Sequence, residues 1–286
     1  ANVAMLQAYV PNQGNAWSYT LDELQRFIDQ PITLSVDLPA PPQSIMRLAR
    51  SKPPPLAREL LGAQLETARL IGRCTADLHL KLASNLDDPD FSPEPLTTLV
   101  QRSMYQSMRN LKATVFQQAR DRMHGLPKDV AELLRRVLAL EPKVLKVFHR
   151  ILERKLSAAR IRCHGDYHLG QLLYTGKDFV VIDFEGDPMR PFSERRRKRM
   201  ALQDVAAMLR SFDYAAAIVL AQRAVPGADL NVLEHWLKVW RAWASSAFLK
   251  AYFKACGEAV FLPPTPAETA RLLGVFHLEK AVHEHG

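Results

Sequence analysis

Near its middle the chain reads His164-Gly-Asp-Tyr-His-Leu-Gly-Gln171 and, after a turn, Phe179-Val-Val-Ile-Asp-Phe-Glu185. The two stretches place three oxygen-bearing side chains in order: Asp166, then Gln171 five positions later, then Asp183 a further twelve positions on. Phosphoryl transfer needs such a set, because one carboxylate orients the attacking hydroxyl while an amide oxygen and a second carboxylate hold the metal at the nucleotide phosphates. The order of these residues therefore indicates a phosphoryl-transfer site.

The sequence around these residues predicts a β-hairpin. Residues 172–174 and 179–182 favour strands, and Thr175-Gly-Lys-Asp178 between them carries turn residues. A hairpin of this kind brings Gln171 and Asp183 to the same end of two paired strands. Two oxygen ligands near one point are what a magnesium ion requires.

Taken singly, each short motif is weak evidence. His-Gly-Asp is often only a turn and Ile-Asp-Phe occurs in many sheets, so either could be structural. The ordered set is stronger, because kinase catalytic loops place Asp and Asn at the same five-residue offset. Gln171 offers the same carboxamide oxygen as Asn on a longer stem. The pattern predicts Asp166 as the base and Gln171 and Asp183 as magnesium ligands.

Composition limits the class of protein. The chain has 286 residues, 48% of them hydrophobic, and a net charge of +8. Such a charge suits nucleic acid, anionic lipid or an anionic substrate. Phosphate-bearing ligands fit better, because zinc-finger spacing, aromatic RNA-binding signatures and Lys-rich amphipathic helices are absent from the sequence.

The three cysteines lack CxxC spacing and indicate a reducing compartment. We expect a soluble cytoplasmic protein with no nucleic-acid or membrane partner, since no apolar run reaches about 18 residues.

Helical periodicity covers most of the chain and predicts a mainly helical body. Thr20 is the expected N-cap of the first helix, and residues 37–55 form a proline-rich connector. A short strand is expected over 160–163, leading into the loop. The predicted helices cover residues 21–28, 57–82, 96–122, 128–138, 142–157, 204–221, 230–256 and 266–283.

Four sequence motifs carry a resemblance to a known group of proteins. They are His164-Gly-Asp-Tyr-His-Leu-Gly-Gln171, Val181-Ile-Asp-Phe-Glu-Gly-Asp-Pro188, Ser193-Glu-Arg-Arg196 and Asp204-Val-Ala-Ala-Met-Leu-Arg-Ser-Phe212. With them the chain resembles the aminoglycoside-phosphotransferase-like kinases, and within these the maltokinases, including those fused to trehalose synthase. The resemblance implies a mainly α (α+β) fold: a protein-kinase-like C-terminal lobe with a small β-hairpin at the catalytic loop.

The resemblance also assigns the first segment. Residues 3–10 read as a strand, and in the family this position is the hinge beside the adenine, so backbone groups of Gln7, Ala8, Tyr9 and Val10 are expected to contact the nucleotide. Residues 1–16 are then hinge-like and 17–286 form the C-terminal lobe. A glycine-rich loop and its paired Lys are expected in an N-terminal lobe that the chain lacks.

Further acceptor contacts are expected from the same resemblance. His168 lies in the catalytic-loop motif, and Arg195 and Arg196 match the Glu-Arg-Arg motif. The two arginines either place the acceptor or form ion pairs with Asp187 or Asp204, while the rest of the basic run is expected at the surface. On a continuing strand Glu185 would face the same side as Asp183, and assist the metal or the acceptor.

An aromatic stripe follows the predicted helix over residues 230–256. Core packing is the common explanation of such a stripe. The resemblance places this helix beside the acceptor, and sugars stack on aromatic rings, so Trp243 and Tyr252 are also candidates for acceptor binding.

Together these expectations describe an ATP- and Mg²⁺-dependent kinase that converts maltose to maltose 1-phosphate in α-glucan metabolism. Its expected partners are the sugar, the N-terminal lobe and a trehalose synthase domain. Two alternatives stay open. One is a related kinase acting on an aminoglycoside, choline or homoserine. The other is a non-catalytic lobe of a trehalose synthase fusion.

Overall fold

A computed structural model describes residues 8–29, 41–42, 44–223 and 230–284. The mainly helical fold predicted from the sequence is confirmed. No helix in these residues combines the length and the apolar composition of a membrane span. The helices are α1 (Ala16–Ile28), α2 (Ile45–Arg50), α3 (Pro55–Leu82), α4 (Thr98–Asp121), α5 (Lys128–Leu138), α6 (Glu141–His149), α7 (Phe192–Arg195), α8 (Leu202–Arg223), α9 (Leu230–Cys256) and α10 (Pro266–His283), and the strands are β1 (Glu94–Pro95), β2 (Ala159–Arg160), β3 (Leu172–Tyr174) and β4 (Phe179–Val181).

The chain divides into two compact units, each built from three separated stretches. The first unit comprises residues up to 76 together with 168–184 and 211–255. The second unit comprises residues 77–167, 185–210 and those from 256 onward.

The hairpin lies in the first unit. Strands β3 and β4 pair antiparallel, with Leu172 opposite Val181 and Tyr174 opposite Phe179. The start of α1 is attached to β3, because Gln13 N donates to Tyr174 O at 2.8 Å and Tyr174 N donates to Gly14 O at 2.9 Å. Leu172 and Phe179 are buried, and the predicted hairpin is confirmed.

In the second unit a buried amide holds the turn after α6. Gln101 of α4 donates through Nε2 to Ile151 O at 2.6 Å and to Arg154 O at 2.7 Å, and Leu156 N donates to its Oε1 at 3.3 Å. The carbonyl and amide groups of an irregular buried turn need such partners. This turn leads into β2, which pairs antiparallel with β1, and so positions the entrance of the following loop.

Most helix bounds agree with the sequence, and the disagreements have local causes. Helices α5, α9 and α10 have the predicted bounds. Helix α1 begins five residues before the predicted start, because Asn15 is the N-cap and accepts from Ser18 N at 2.9 Å, while Thr20 is buried inside the helix. Helix α6 ends at His149 and continues only as a 3₁₀ turn, short of the predicted residue 157.

The two short strand predictions at loop positions are only partly right. In place of a strand over 160–163, β2 covers Ala159–Arg160 and Ile161 forms an isolated bridge with Arg199. Residues 8–10 are not in a strand. The rest of the predicted N-terminal strand lies outside the described residues.

Candidate active site

Gln171 and Asp183 lie side by side at the end of the hairpin. Gln171 ends a 3₁₀ turn that runs directly into β3, and its Nε2 donates to Asp183 Oδ2 at 2.9 Å. The backbones are also joined there, because Ile182 N donates to Gln171 O at 3.0 Å. The structure therefore brings together the two residues predicted as metal ligands.

Asp183 has an unusual backbone. Its φ is 65°, and among the described residues it alone, apart from glycines, has a positive φ. The left-handed region costs an L-residue roughly 1–2 kcal/mol, so such residues persist where the surroundings hold them and often mark functional positions. The conformation turns the chain away from the direction of β4, which ends at Val181.

The donor set at this point suits magnesium. The Asp183 carboxylate and the Gln171 carboxamide are hard oxygen ligands, and Mg²⁺ in phosphoryl-transfer enzymes is usually held by one or two such groups together with substrate phosphates. The Asp183 side chain is exposed, so phosphate oxygens and water have access to it.

In the second unit the His164-Gly-Asp loop is fastened to α8 by Asp204. The buried Asp204 carboxylate accepts from His164 N at 2.8 Å and Gly165 N at 3.1 Å, and it lies 3.2 Å from His79 Nε2. Burial alone would raise the pKa of Asp204, but the hydrogen bonds and charges of His79 and the loop outweigh it and lower the pKa. The partners of Asp204 are thus His79 and the two loop amides, and not the arginines suggested by the sequence.

One cluster in the described residues has the composition of a metal site. It consists of His79, Cys163 and Asp204, whose ligand atoms lie within 4.8 Å of one another. Burial raises the pKa of the Cys163 thiol well above its usual range, and the charge of Asp204 adds to this effect. The Asp204 oxygens already accept the two loop amides, and the Cys163 thiol lies against the carbonyl oxygens of Ile161 and Arg199, each at 3.7 Å. The cluster is therefore a structural support for the loop.

Asp166, the predicted base, lies on this supported loop. Its Oδ1 is 3.4 Å from the ammonium of Lys280 in α10, and its backbone amide donates to His164 Nδ1 at 3.4 Å. The side chain is 21% exposed, so a substrate hydroxyl has access to it. Lys280 is a neighbour that sequence reasoning missed, because it lies 114 positions away on a helix without a motif.

His168 stabilises the 3₁₀ turn that carries Gln171. Its Nδ1 accepts from Gly170 N at 3.1 Å, and Leu169 N donates to Ser211 Oγ at 3.1 Å. A Cβ on Gly170 would lie only 2.8 Å from the His168 ring, so the ring can approach only a glycine. The contacts of His168 are those of a cap, and its expected role at the acceptor stays a prediction.

A small pocket of about 40 Å³ in the second unit borders the loop at Gly165. Asp187 lies in it, 3.2 Å from Arg190 Nε and 3.1 Å from His283 Nε2. Burial alone would raise the pKa of Asp187, but the His283 hydrogen bond, the Met189 amide and the charge of Arg190 together hold it well below its usual range. Asp187, Arg190 and His283 were not among the predicted site residues.

The two predicted arginines have different surroundings from those expected. Arg195 donates to the carbonyl oxygens of Arg190 at 2.9 Å and Pro188 at 2.7 Å, so it holds the loop through the backbone. The expected ion pair with Asp187 or Asp204 is wrong, because Asp187 pairs with Arg190 and His283. Arg196 is exposed and lies 4.0 Å from Asp90.

Lys198 contradicts the expectation that the rest of the basic run is solvated. Its side chain is 6% exposed, its Nζ donates to Ser92 O at 2.6 Å and also to Pro89 O, and it pairs with Glu94 at 3.0 Å. The segment is thus fastened to the chain before α4.

Glu185 does not continue the strand. Strand β4 ends at Val181, and Glu185 is exposed in the turn that follows, so the argument from strand alternation is wrong.

In the first segment, Tyr9 is 82% exposed, Ala8 is exposed and Val10 is half-buried, while Gln7 lies outside the described residues. Nucleotide contact by these groups stays a prediction.

Trp243 and Tyr252 lie in the core of the first unit. They are 4% and 0% exposed, and Tyr252 packs against Phe248 and Phe253. Such burial leaves no ring face open for a sugar. It supports the core-packing explanation of the aromatic stripe and not the acceptor-binding one.

Two known proteins are similar to this chain in sequence. A glucosamine kinase of Streptacidiphilus jiangxiensis is 25% identical over 250 residues, which are 87% of this chain and 46% of that protein. A glucosamine kinase of Mycolicibacterium smegmatis is 30% identical over 112 residues, 38% of this chain and 26% of that protein. The chain thus spans about half the length of the first relative and less of the second.

Solved structures share the fold. A glucosamine kinase in complex with glucosamine, ADP and inorganic phosphate superposes with a TM-score of 0.66 at 23% identity, covering 97% of this chain and 54% of that one. A second glucosamine kinase crystal form gives a TM-score of 0.64 at 22% identity. The family model described as the phosphotransferase enzyme family matches residues 51–249, which include the loop, the hairpin and most of α9. The chain therefore belongs to the phosphotransferase enzyme family.

Proposed function

We propose that the chain is the catalytic lobe of an ATP-dependent kinase that phosphorylates a sugar hydroxyl. The observation that carries this proposal is the contact between Gln171 and Asp183 at 2.9 Å, with Asp183 in the left-handed region. The contact lies inside the segment matched by the family model. It supports a shared role for the two oxygen ligands.

In this proposal Asp166 orients the acceptor hydroxyl and takes up its proton. The loop that carries Asp166 is fixed by the two amide hydrogen bonds to Asp204, so little reorganisation is needed when the acceptor binds. Lys280 holds the carboxylate from the α10 side at 3.4 Å. General-base groups of this kind typically contribute about 10²–10⁴-fold to a rate.

Gln171 and Asp183 would hold Mg²⁺, which when bound neutralises charge on the phosphate oxygens. The backbone at residues 8–10 would border the adenine of ATP. We further propose that an N-terminal lobe supplies the phosphate-covering loop and its Lys, in line with the greater length of the relatives.

Maltose is the acceptor that we propose first, with maltose 1-phosphate as the product. The net charge of +8 supports this choice, because a cationic acceptor needs an acidic pocket and a neutral sugar does not. The Asp166 carboxylate already lies 3.4 Å from the Lys280 ammonium.

Glucosamine is the second candidate, and the relatives favour it. The two curated relatives and the solved structures above are glucosamine kinases. An amino sugar would need a carboxylate to meet its ammonium group. A trehalose synthase domain is proposed as a partner, and co-elution of the two proteins in size-exclusion chromatography tests that proposal.

The deciding experiment measures ADP release with maltose, glucosamine, choline, homoserine and kanamycin, using the chain joined to an N-terminal lobe. We expect turnover with maltose and loss of its reducing end in the product. Asp166→Asn should lower turnover by about 10²-fold or more, whereas Asp77→Asn, which changes an exposed carboxylate on α3, should not. An Asp166→Asn variant that binds maltose and turns over like the parent would exclude the catalytic assignment.

A further inference from the structure

We propose that a second cleft in the same unit as the His-Gly-Asp loop binds a phosphorylated sugar, with its phosphate against Arg190 and Arg199 and its sugar against α4. The cleft has a volume of about 400 Å³ and lies between one face of α4 and the segment 190–200. The proposal goes beyond the kinase function and does not depend on it.

The α4 wall is uncharged and chemically mixed. It presents two hydroxyls, from Ser103 and Ser107, and three apolar side chains, from Val100, Met104 and Met108. These residues recur at helical spacing, so they form one continuous face. A sugar has the matching character, because its hydroxyls form hydrogen bonds while its C–H faces pack against apolar side chains.

The opposite wall is strongly cationic. The lining includes five cationic side chains and two carboxylates: Arg160, Arg190, Arg197, Lys198 and Arg199 against Glu194 and Glu279. Glu94 pairs with Arg160 at 2.7 Å and with Lys198 at 3.0 Å and so neutralises part of this charge. Asp187 likewise pairs with Arg190 at 3.2 Å, so the remaining excess of positive charge is smaller than the lining alone would give.

Arg199 is the most informative of these arginines. Its guanidinium Nη2 donates to the backbone carbonyl of Glu194 at 3.4 Å, a neutral acceptor. Burial and the positive charge of Arg190 lower the pKa of Arg199, while the carboxylates of Asp204 and Glu279 act in the opposite direction. Arg190 and Arg199 both line the cleft, and a phosphate there would accept charge-assisted hydrogen bonds from their guanidinium groups.

The wall is rigid enough to act as a preformed site. The backbones of Arg199 and Ile161 form two hydrogen bonds: Arg199 N donates to Ile161 O at 2.8 Å, and Ile161 N donates to Arg199 O at 2.9 Å. Lys198 is fixed through Ser92 and Glu94. A preorganised site loses less conformational entropy when a ligand binds.

Size separates this cleft from the pocket beside the loop. Both cavities are lined by Arg190, Arg199, Gln203 and Glu279, so they meet at these residues. The inner pocket, at about 40 Å³, has room for little more than one water, whose share of liquid volume is roughly 30 Å³. The outer cleft lies within the range of roughly 300–1,000 Å³ typical of small-molecule sites.

Isothermal titration calorimetry on the whole chain without ATP tests the proposal with three probes: glucose 6-phosphate, glucose and inorganic phosphate. We expect glucose 6-phosphate to bind at least about ten-fold more tightly than either of the others, and more weakly as salt is added. Saturating maltose should not displace it. Equal affinity for glucose or for inorganic phosphate, or displacement by maltose, would overturn the proposal.

Two pairs of variants locate the site. Arg199→Gln should weaken glucose 6-phosphate binding about ten-fold or more, whereas Arg102→Gln, an exposed arginine on α4 outside the lining, should not. Ser107→Glu places a negative charge in the cleft at an exposed helix position and should weaken binding by a similar factor, while Gln106→Glu should leave it unchanged. If Ser107→Glu remains folded and binds glucose 6-phosphate like the parent, the cleft is not the site.

Discussion

The Asp204 carboxylate accepts the backbone amide of His164 at 2.8 Å, across forty positions of sequence. The same carboxylate accepts Gly165 N, where φ is 89°, and lies against the buried His79. A charged acceptor for two successive amides fixes a turn that would otherwise bury unpaired donors. The start of α8 and the His-Gly-Asp loop are therefore one structural element.

Replacing Asp204 tests this relationship. Asp204→Asn keeps the shape but removes the charge, and one amide loses its acceptor. We expect a loss of about 3 kcal/mol in the free energy of unfolding, measured by urea denaturation, together with faster hydrogen exchange at the amides of His164 and Gly165. Asp77→Asn, on an exposed face of α3, should change neither quantity. Unchanged exchange at both loop amides would show that Asp204 does not hold the loop.

A paired substitution at Asp183 separates strain from ligation. Asp183→Gly and Asp183→Ala both remove the carboxylate and its hydrogen bond with Gln171, so they should lose Mg²⁺ binding equally. They differ in backbone, because Ala is strained at φ 65° and Gly is not. The Gly variant should be more stable than the Ala variant by roughly 0.5–1 kcal/mol, measured by thermal unfolding.

The reverse order of stability would mean that the backbone relaxes when the carboxylate is removed. Retained Mg²⁺ binding in both variants would instead exclude Asp183 as a ligand. The two outcomes are independent, so the strain and the ligand role can fail separately.

The hairpin and its two oxygen ligands could be predicted because their signals are local. Two strand-favouring stretches and the turn of Thr175-Gly-Lys-Asp178 between them were enough to place Gln171 beside Asp183. The strand-alternation argument for Glu185 failed at the same place, since nothing in the sequence indicates that the backbone leaves β4 with a positive φ. Its role at the metal or the acceptor stays a prediction.

The neighbours of the loop could not be predicted in this way. Lys280 meets Asp166 across 114 positions, and Lys198 meets Pro89 across 109. Such contacts depend on how helices pack, and a lysine within a basic run is usually solvated. The acceptor-binding prediction for Trp243 and Tyr252 had a different cause. An aromatic stripe has the same spacing along a helix whether it packs in a core or lines a binding face, so the sequence could not separate the two.

Two glycines of α3 offer a test of helix packing in the first unit. A Cβ at Gly72 would lie 2.4 Å from Phe248 O in α9, whereas a Cβ at Gly62 meets nothing within 4 Å. Gly72→Ala should therefore destabilise the chain by about 1–3 kcal/mol. Gly62→Ala should stabilise it by up to about 1 kcal/mol, because alanine favours the helix.

Urea denaturation of both variants measures these changes. The pair controls for helix propensity, since both positions lie in the same helix and receive the same methyl group. Equal stabilisation of both variants would show that α3 and α9 do not approach as closely as the structure has them.

Acid should weaken the chain through its paired carboxylates, and Asp187 provides the test. Hydrogen bonds and charge from His283, Met189 and Arg190 outweigh the effect of burial and lower its pKa. A folded-state pKa below the unfolded value of about 3.9 contributes stability that is present above that pH and is lost as the pH falls through the folded-state value. Asp187→Asn should thus be less stable than the parent by about 1–3 kcal/mol at pH 7, and the difference should shrink below about pH 4. Guanidinium denaturation at pH 7, 4 and 2.5 measures it, with the exposed Asp22→Asn as the control; a difference that does not change with pH would contradict the lowered pKa.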